Sequence, residues 1–185
     1  MSRHDGRGLL VAIVGPSGAG KDTLIDALAR ARPDFHIAQR IITRAADAGG
    51  EAHLAISDAA FDAELAKGAY AFHWPAHGLR YAISASIDQH LAAGRVVVFN
   101  GSRKALPKIA RAYPQLLVLV ITAPVDVLAA RLAARGRESV DDIAARLNRA
   151  DLPPPEGASI VHNDSTLGAA LAQIEAAITH AMQNA

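Results

Sequence analysis

The sequence has no cysteine, and aromatic residues make up only 4% of its 185 positions. The absence of cysteine excludes disulfides and thiolate metal sites, and it is compatible with the cytosol. A formal net charge of only +1 gives no general electrostatic case for nucleic-acid binding. No uninterrupted apolar run reaches membrane-spanning length, and the polar residues 1–8 lack the apolar core of a signal peptide. We therefore expect a cytoplasmic protein that binds neither nucleic acid nor membrane, while its oligomeric state stays open.

Apolar residues nevertheless make up 51% of the chain, enough for one sizeable core. Three strongly apolar runs are typical of buried strands: residues 9–14, 95–99 and 116–122. Segments with helical spacing alternate with these runs, and this alternation predicts a parallel sheet covered by helices on both faces.

The most informative stretch joins the first apolar run to an amphipathic helical segment. It reads Gly15-Pro16-Ser17-Gly18-Ala19-Gly20-Lys21-Asp22, followed by Thr23. A glycine-rich loop between a strand and a helix is the context that a phosphate-binding P-loop requires. Its backbone N–H groups would cradle phosphate oxygens at the helix N-terminus, and Lys21 would reach the β- and γ-phosphates. We therefore predict that this stretch binds a nucleoside triphosphate, the alternative being a strand-to-helix turn that is glycine-rich by chance.

Asp22 stands where the P-loop pattern has the serine or threonine that ligates Mg²⁺. A carboxylate is a harder and stronger Mg²⁺ ligand than a hydroxyl, although it brings negative charge close to the phosphates. We predict Asp22 as a metal ligand. The alternative is that it is only a favourable charge in the first turn of the helix.

A second candidate region is the end of a strand predicted over residues 36–43. Alternation along a strand would place Arg40, Ile42 and Arg44 on one face, where two guanidinium groups could clamp a phosphate or carboxylate. The loop that follows contains Glu51. Two arginines on a solvated edge strand are the alternative.

A third candidate region is a hairpin predicted over residues 70–83, with its turn at residues 75–78. A turn that exposes His77, Arg80 and the Tyr81 hydroxyl could close over an anionic substrate. The alternative is an ordinary hairpin whose aromatic side chains pack together.

A fourth candidate region is an arginine cluster around Gly136 that includes Arg131, Arg135 and, further along, Arg146. Arg131 and Arg135 lie one helical turn apart and therefore share a face. Arginines on either side of a glycine hinge suit a mobile lid over a transferring phosphoryl group. Solvated arginines on an alanine-rich helix are the alternative.

Taken in order, these segments resemble those of the guanylate kinases, and the similarity covers nearly the whole chain. The segments are the P-loop, Thr43-Arg44, Gly50-Glu51, His77-Gly78-Leu79-Arg80-Tyr81 and residues 131–139. The resemblance implies a P-loop NTPase three-layer α/β sandwich with a parallel core sheet, an inserted acceptor-binding region and an arginine lid. It implies a single domain divided as follows: core about 8–43 and 84–185, insertion about 44–83, lid about 135–150.

The same resemblance implies residue roles. Arg44 and Tyr81 would hold the acceptor's phosphate, and Asn163 would lie near the adenine. The triphosphate would be held by Arg131, Arg135 and Arg146, with Lys21, Arg131 and Arg135 as the catalytic residues.

Two departures separate this sequence from the guanylate kinases, whose carboxylates accept hydrogen bonds from guanine. His73 stands where those enzymes have a glutamate before the Trp74 position, and residues 96–100 carry no carboxylate. Guanine's donors would be left unpaired, at a cost of several orders of magnitude in discrimination. The amino-acid sequences of residues 20–24, 42–51 and 77–81 instead resemble the corresponding segments of the ribose 1,5-bisphosphate phosphokinases of bacterial phosphonate degradation.

That family transfers the γ-phosphoryl group of ATP to the 1-phosphate of ribose 1,5-bisphosphate and forms 5-phospho-α-D-ribose 1-diphosphate. The resemblance implies a kinase that uses ATP and Mg²⁺ on a sugar bisphosphate, an acceptor with two anionic ends and no base. The predicted acceptor site comprises Arg40, Arg44, Glu51, His73, His77, Arg80, Tyr81 and Arg146. Two alternatives stay open: a guanylate or other nucleoside monophosphate kinase, and a binding module of the same fold with a retired kinase site.

Overall fold

The computed structural model describes residues 8–45, 53–134 and 153–184. In chain order the strands are β1 Leu9–Val14, β2 His36–Ala38, β3 Ile41–Ile42, β4 Leu54–Ala55, β5 Tyr70–Ala76, β6 Leu79–Ser84, β7 Val96–Asn100, β8 Leu116–Thr122 and β9 Ser159–His162. The helices are α1 Lys21–Ala31, α2 Asp58–Ala66, α3 Ile87–Ala92, α4 Leu106–Ala112, α5 Val125–Ala134 and α6 Leu167–Gln183, and a 3₁₀ turn, Arg103–Ala105, precedes α4.

The core sheet has five parallel strands in the order β2-β7-β1-β8-β9. Every residue of β1 and β7 is buried, because both strands lie inside the sheet and helices cover its two faces. Continuous apolar runs are what such burial requires. The predicted parallel sheet is therefore confirmed.

Side chains of β1 alternate between two hydrophobic layers. Val11 and Ile13 pack in a cluster that includes α1, α5 and α6. Leu10 and Ala12 pack in the opposite cluster, with α3, α4 and part of the second sheet. Helices, sheet and helices thus form the three layers that the resemblance implied.

The second sheet is mixed, with the order β4-β3-β6-β5. Strands β5 and β6 form the predicted hairpin, and His77 and Gly78 make its two-residue turn with positive φ angles of 52° and 73°. Pro75 lies inside β5 and not in the turn. Proline, which has no N–H to donate, is tolerated there because β5 is an edge strand of the described sheet, so on one side no neighbouring strand needs a hydrogen bond from it.

The single strand predicted over residues 36–43 is wrong. The chain pairs with β7 of the core sheet through β2, crosses at Gln39 and Arg40, and then enters the second sheet as β3. Arg40 therefore lies at the crossing between the two sheets and not within a strand.

The division of the chain into core, insertion and lid stays a prediction. The second sheet accounts for much of the predicted insertion, whereas the predicted lid lies outside the described residues. In the part of the chain that is described, no helix is long and apolar enough to cross a membrane.

Candidate active site

The P-loop leaves β1 at Gly15 and enters α1 at Lys21. Its glycines at 15, 18 and 20 have positive φ angles of 150°, 87° and 86°. At Gly20 a Cβ atom would lie only 2.5 Å from Nδ2 of Asn163. Glycine is thus required at this position both by the backbone angle and by the close approach of a neighbouring side chain.

Lys21 holds its positive charge directly over this loop. Its Nζ donates hydrogen bonds of 2.9 Å to the carbonyl oxygens of Gly15 and Pro16. The ammonium group therefore lies beside the loop that is predicted to bind phosphates.

Asp22, the residue predicted to bind metal, is tied to the core sheet. Its Oδ1 accepts a 2.7 Å hydrogen bond from Nδ2 of Asn100, the last residue of β7. Among the described residues, no group of three or more histidine, cysteine, aspartate or glutamate side chains could hold a metal ion. A single carboxylate still fits Mg²⁺, which prefers oxygen ligands and completes its shell with water and substrate phosphates.

A cavity of about 450 Å³ lies between the P-loop and the second sheet. Its charged and polar wall residues are Ser17, Lys21, Asp22, Arg40, Arg44, His77, Tyr81, Asn100, Ser102 and Arg103, and Trp74 adds an aromatic wall. The cavity thus brings together the P-loop and four of the predicted acceptor residues. It also adds Ser102 and Arg103, which the sequence prediction missed.

The described walls carry four permanent cations, Lys21, Arg40, Arg44 and Arg103, and one carboxylate, Asp22. Burial lowers the pKa of Arg40 to about 10, an effect that Asp22 opposes. Burial also lowers the pKa of Arg103. Arg40 keeps its proton at neutral pH because its pKa lies well above 7. A concave surface with this excess of positive charge attracts polyanions.

The side chain and the backbone of Arg44 both contact His53. Its Nη2 lies 3.4 Å from Nδ1 of His53, and Nε2 of His53 lies 3.4 Å from the Arg44 carbonyl oxygen. The Nε atom of Arg44 is buried and has no hydrogen-bond partner among the described residues. His53 thus positions the guanidinium group at the cavity, and the Nε donor is left buried and unsatisfied by the described part of the chain.

His73 and Arg80 do not reach the cavity. In the hairpin Trp74 pairs with Tyr81, and their rings stack with centroids 5.6 Å apart. Because neighbouring residues of a strand point to opposite faces, His73 and Arg80 face α2 instead. The structure therefore corrects the expected placement of both residues in the acceptor site.

On that face the Arg80 guanidinium group binds side chains of α2. Its Nη2 donates a 2.6 Å hydrogen bond to Oδ1 of Asp62, and its guanidinium carbon lies 4.1 Å above the Phe61 ring. The ring of His73 lies at 6.3 Å from the same Phe61 ring. Burial, with Lys108 and Arg80 contributing, lowers the pKa of His73.

Asn163 and Arg131 lie behind the P-loop and not in the cavity wall. Asn163 Nδ2 donates to the carbonyl oxygen of Ala19 at 2.8 Å, and Arg131 Nη2 donates to the carbonyl oxygen of Asn163 at 3.0 Å. Thr23 is exposed on α1. Three further predicted residues lie outside the described part of the chain: Glu51, Arg135 and Arg146.

The comparisons with known proteins agree with this architecture. Residues 10–152 match the AAA domain family. The chain is 48% identical over 167 residues to a ribose 1,5-bisphosphate phosphokinase PhnN from Pantoea vagans, with 89% of this chain and 94% of that protein covered. It is 49% identical over 178 residues to a bifunctional ribose 1,5-bisphosphokinase-thymidine phosphorylase from Azorhizobium caulinodans. That match covers 94% of this chain but only 26% of the longer protein.

A solved guanylate kinase from Anaplasma phagocytophilum superimposes with a TM-score of 0.66 over 96% of this chain and 86% of that one. At 13% sequence identity, this likeness shows the fold alone. It confirms the α/β P-loop kinase architecture that the sequence predicts. Sequence identity of 48% over 89% of the chain, by contrast, is enough to assign a family. The chain belongs to the ribose 1,5-bisphosphate phosphokinase family.

Proposed function

We propose that the protein transfers the γ-phosphoryl group of ATP to the 1-phosphate of ribose 1,5-bisphosphate and forms 5-phospho-α-D-ribose 1-diphosphate. The observation that carries this proposal is the charge of the cavity, in which four cations face one carboxylate. A sugar with two phosphates and no base suits such walls. The names of the relatives in the same family support the same reaction.

In this reaction an oxygen of the acceptor's 1-phosphate forms a bond to the γ-phosphorus. The bond from that phosphorus to the β,γ-bridging oxygen breaks, and ADP leaves. The attacking phosphate oxygen is largely ionised at neutral pH, with a second pKa of about 6, so no side chain has to remove a proton. Catalysis then consists of alignment and neutralisation of charge.

The donor side is formed by the P-loop. Its backbone N–H groups hold the triphosphate, and Lys21 neutralises charge that develops on the transferring group. Asp22, oriented by Asn100, would hold Mg²⁺. That ion would supply positive charge to neutralise the phosphates.

The acceptor side has two walls. One wall is formed by Arg40 at the crossing, Arg44 just after β3, and Tyr81 of β6. The other is formed by Ser102 and Arg103, which follow the carboxyl end of β7. Cations on both walls suit an acceptor with an anionic group at each end. His77 contributes from the hairpin turn. Contacts by Glu51, Arg135 and Arg146 stay predictions.

The described walls of the cavity offer few hydrogen-bond acceptors for the N–H groups of guanine. Guanine presents N–H donors, and the only carboxylate among the described wall residues is Asp22, which lies at the P-loop. The nucleoside monophosphate kinase alternative is therefore less well supported, and the intact P-loop with Lys21 speaks against a retired site. A cytoplasmic location fits the use of ATP.

The proposal is tested by measuring ATP consumption with ribose 1,5-bisphosphate and with GMP side by side. We expect saturable turnover with the sugar bisphosphate and poor turnover with GMP. Rapid, saturable phosphorylation of GMP while ribose 1,5-bisphosphate stays inert would overturn it in favour of a nucleotide kinase.

The metal role of Asp22 makes a separate prediction. Asp22→Ala should raise the Mg²⁺ concentration that gives half-maximal activity, and Asp22→Ser should recover part of this loss because a hydroxyl is the usual ligand at that position. Asp22→Asn keeps the size of the side chain but removes its charge. If Asp22 acts only on the helix dipole, each variant loses about 0.3–1 kcal/mol of stability and the Mg²⁺ titration curve does not move.

A further inference from the structure

Two polar side chains are buried among the described residues, Asn100 at 7% exposure and Asn163 at 8%. Both donate a hydrogen bond to the P-loop or the helix that starts from it. Asn100 binds Asp22, and Asn163 binds the carbonyl oxygen of Ala19. Burying a polar group costs free energy unless it is hydrogen-bonded, so each contact is a defined part of the fold.

Asn163 is held from two further directions. Its backbone N–H donates to the carbonyl oxygen of Thr122, the last residue of β8, at 2.8 Å. Its own carbonyl oxygen accepts from Arg131 Nη2 on α5 at 3.0 Å. With the backbone fixed to a core strand and a helix, the side-chain amide is directed at Ala19.

The bond to Ala19 determines the direction of the next N–H group. A trans peptide unit is planar, and its C=O and N–H bonds point in opposite directions. The Ala19 carbonyl points to Asn163, which lies outside the cavity wall. The N–H of Gly20 therefore points away from Asn163, and Gly20 lines the cavity.

We propose that Asn163 is a positioning residue that orients the Ala19–Gly20 peptide of the P-loop for phosphate binding. This inference rests on the proposed binding of a triphosphate at the loop. It differs from the expectation that Asn163 lies near the adenine, because a residue that orients the loop acts on the phosphates and is indifferent to the base.

The structure also explains the glycine at position 20. A methyl group there would lie 2.5 Å from Nδ2 of Asn163, so the amide and the loop occupy adjoining space with no room for a side chain. Gly20 and Asn163 are therefore a matched pair. Changing one alters the effect of changing the other.

The test measures the binding of ATP, GTP and inorganic tripolyphosphate by calorimetry in the full chain. In Asn163→Ala, and in Asn163→Ser should the alanine variant fold poorly, we expect all three affinities to fall by a similar factor of about tenfold. That is the size expected for the loss of one buried hydrogen bond that orients a charged ligand's site.

Gln173→Ala is the matched control. Gln173 anchors β9 one residue earlier, since its Oε1 accepts from the His162 N–H at 3.0 Å and its Nε2 donates to the His162 carbonyl at 3.1 Å. It does not touch the P-loop, so we expect its variant to bind all three ligands as the parent does. An equal loss in Gln173→Ala would contradict the proposal by showing a general effect of β9.

Two other results would overturn it. If the affinity for ATP falls while the affinity for tripolyphosphate does not, Asn163 acts on the nucleoside and not on the phosphates. If Gly20→Ala and Asn163→Ala reduce affinity by factors that simply multiply in the double variant, the two residues are not coupled. We expect the double variant to lose less than that product, because removal of the amide makes room for the methyl group. These are binding measurements, so their outcome is separate from whether ribose 1,5-bisphosphate is the acceptor.

Discussion

Lys21→Ala is expected to reduce kcat for phosphoryl transfer by at least about 10²–10³-fold, the loss typical of removing one group that stabilises developing charge. The fold should survive, because the Lys21 ammonium contacts the carbonyl oxygens of Gly15 and Pro16 and not the hydrophobic core. Turnover with saturating ATP and acceptor, measured beside a thermal melt, checks both parts of this expectation.

Lys67→Ala provides the control for loss of a lysine. Lys67 lies at the end of α2, exposed, and its Nζ is paired with Oε1 of Glu64 at 2.8 Å. Its variant should keep parental turnover. A well-folded Lys21→Ala that also keeps near-parental turnover would remove Lys21 from catalysis and with it the kinase mechanism.

Arg44→Gln is expected to raise the KM for ribose 1,5-bisphosphate by about 10- to 150-fold while the KM for ATP changes little. Hydrogen bonds to charged groups are worth about 1.5–3 kcal/mol, which converts to this range. The Arg44 guanidinium lines the cavity and keeps a buried Nε donor with no partner among the described residues.

Arg80→Gln is the matched comparison. Arg80 lies in β6 of the second sheet, beside the strand β3 that leads to Arg44, but its guanidinium faces α2 and is paired with Asp62. Its loss should lower the melting temperature slightly and leave the acceptor KM near the parental value. If Arg80→Gln raises the acceptor KM as much as Arg44→Gln does, the assignment of the two faces of the second sheet is incorrect.

The fold was largely predictable because its strongest signals are local. The apolar run of β1 followed at once by a glycine loop and an amphipathic helix leaves few structures other than a strand, P-loop and helix. The strands β7 and β8 likewise follow from short apolar segments near their observed bounds. These elements could be predicted because their sequence patterns are local and do not depend on contacts between distant residues.

It was harder to predict which acceptor residues line the cavity, because this depends on which face of the second sheet packs against the core. The prediction placed Arg80 and Tyr81 together, yet adjacent strand residues face opposite ways. The apolar side chains of Phe72, Trp74 and Tyr81 all join the large core cluster. That alternation is the signal in the sequence that assigns His73 and Arg80 to the other face.

Ser102 and Arg103 were missed although a general rule points to them. Ligands of open parallel sheets bind beyond the carboxyl ends of the strands, and these residues follow β7 after Gly101. The contact of Asn163 with Ala19 had no such signal. It joins residues that are far apart in the sequence, so only the assembled structure shows it.

The proposed reaction is tested at its product by ³¹P NMR of the mixture formed from ATP and ribose 1,5-bisphosphate. We expect loss of the sugar 1-phosphate resonance and the appearance of two coupled diphosphate resonances on the sugar, with the 5-phosphate resonance retained and ADP formed in equal amount. ADP formation with free inorganic phosphate and an unchanged sugar bisphosphate would contradict it.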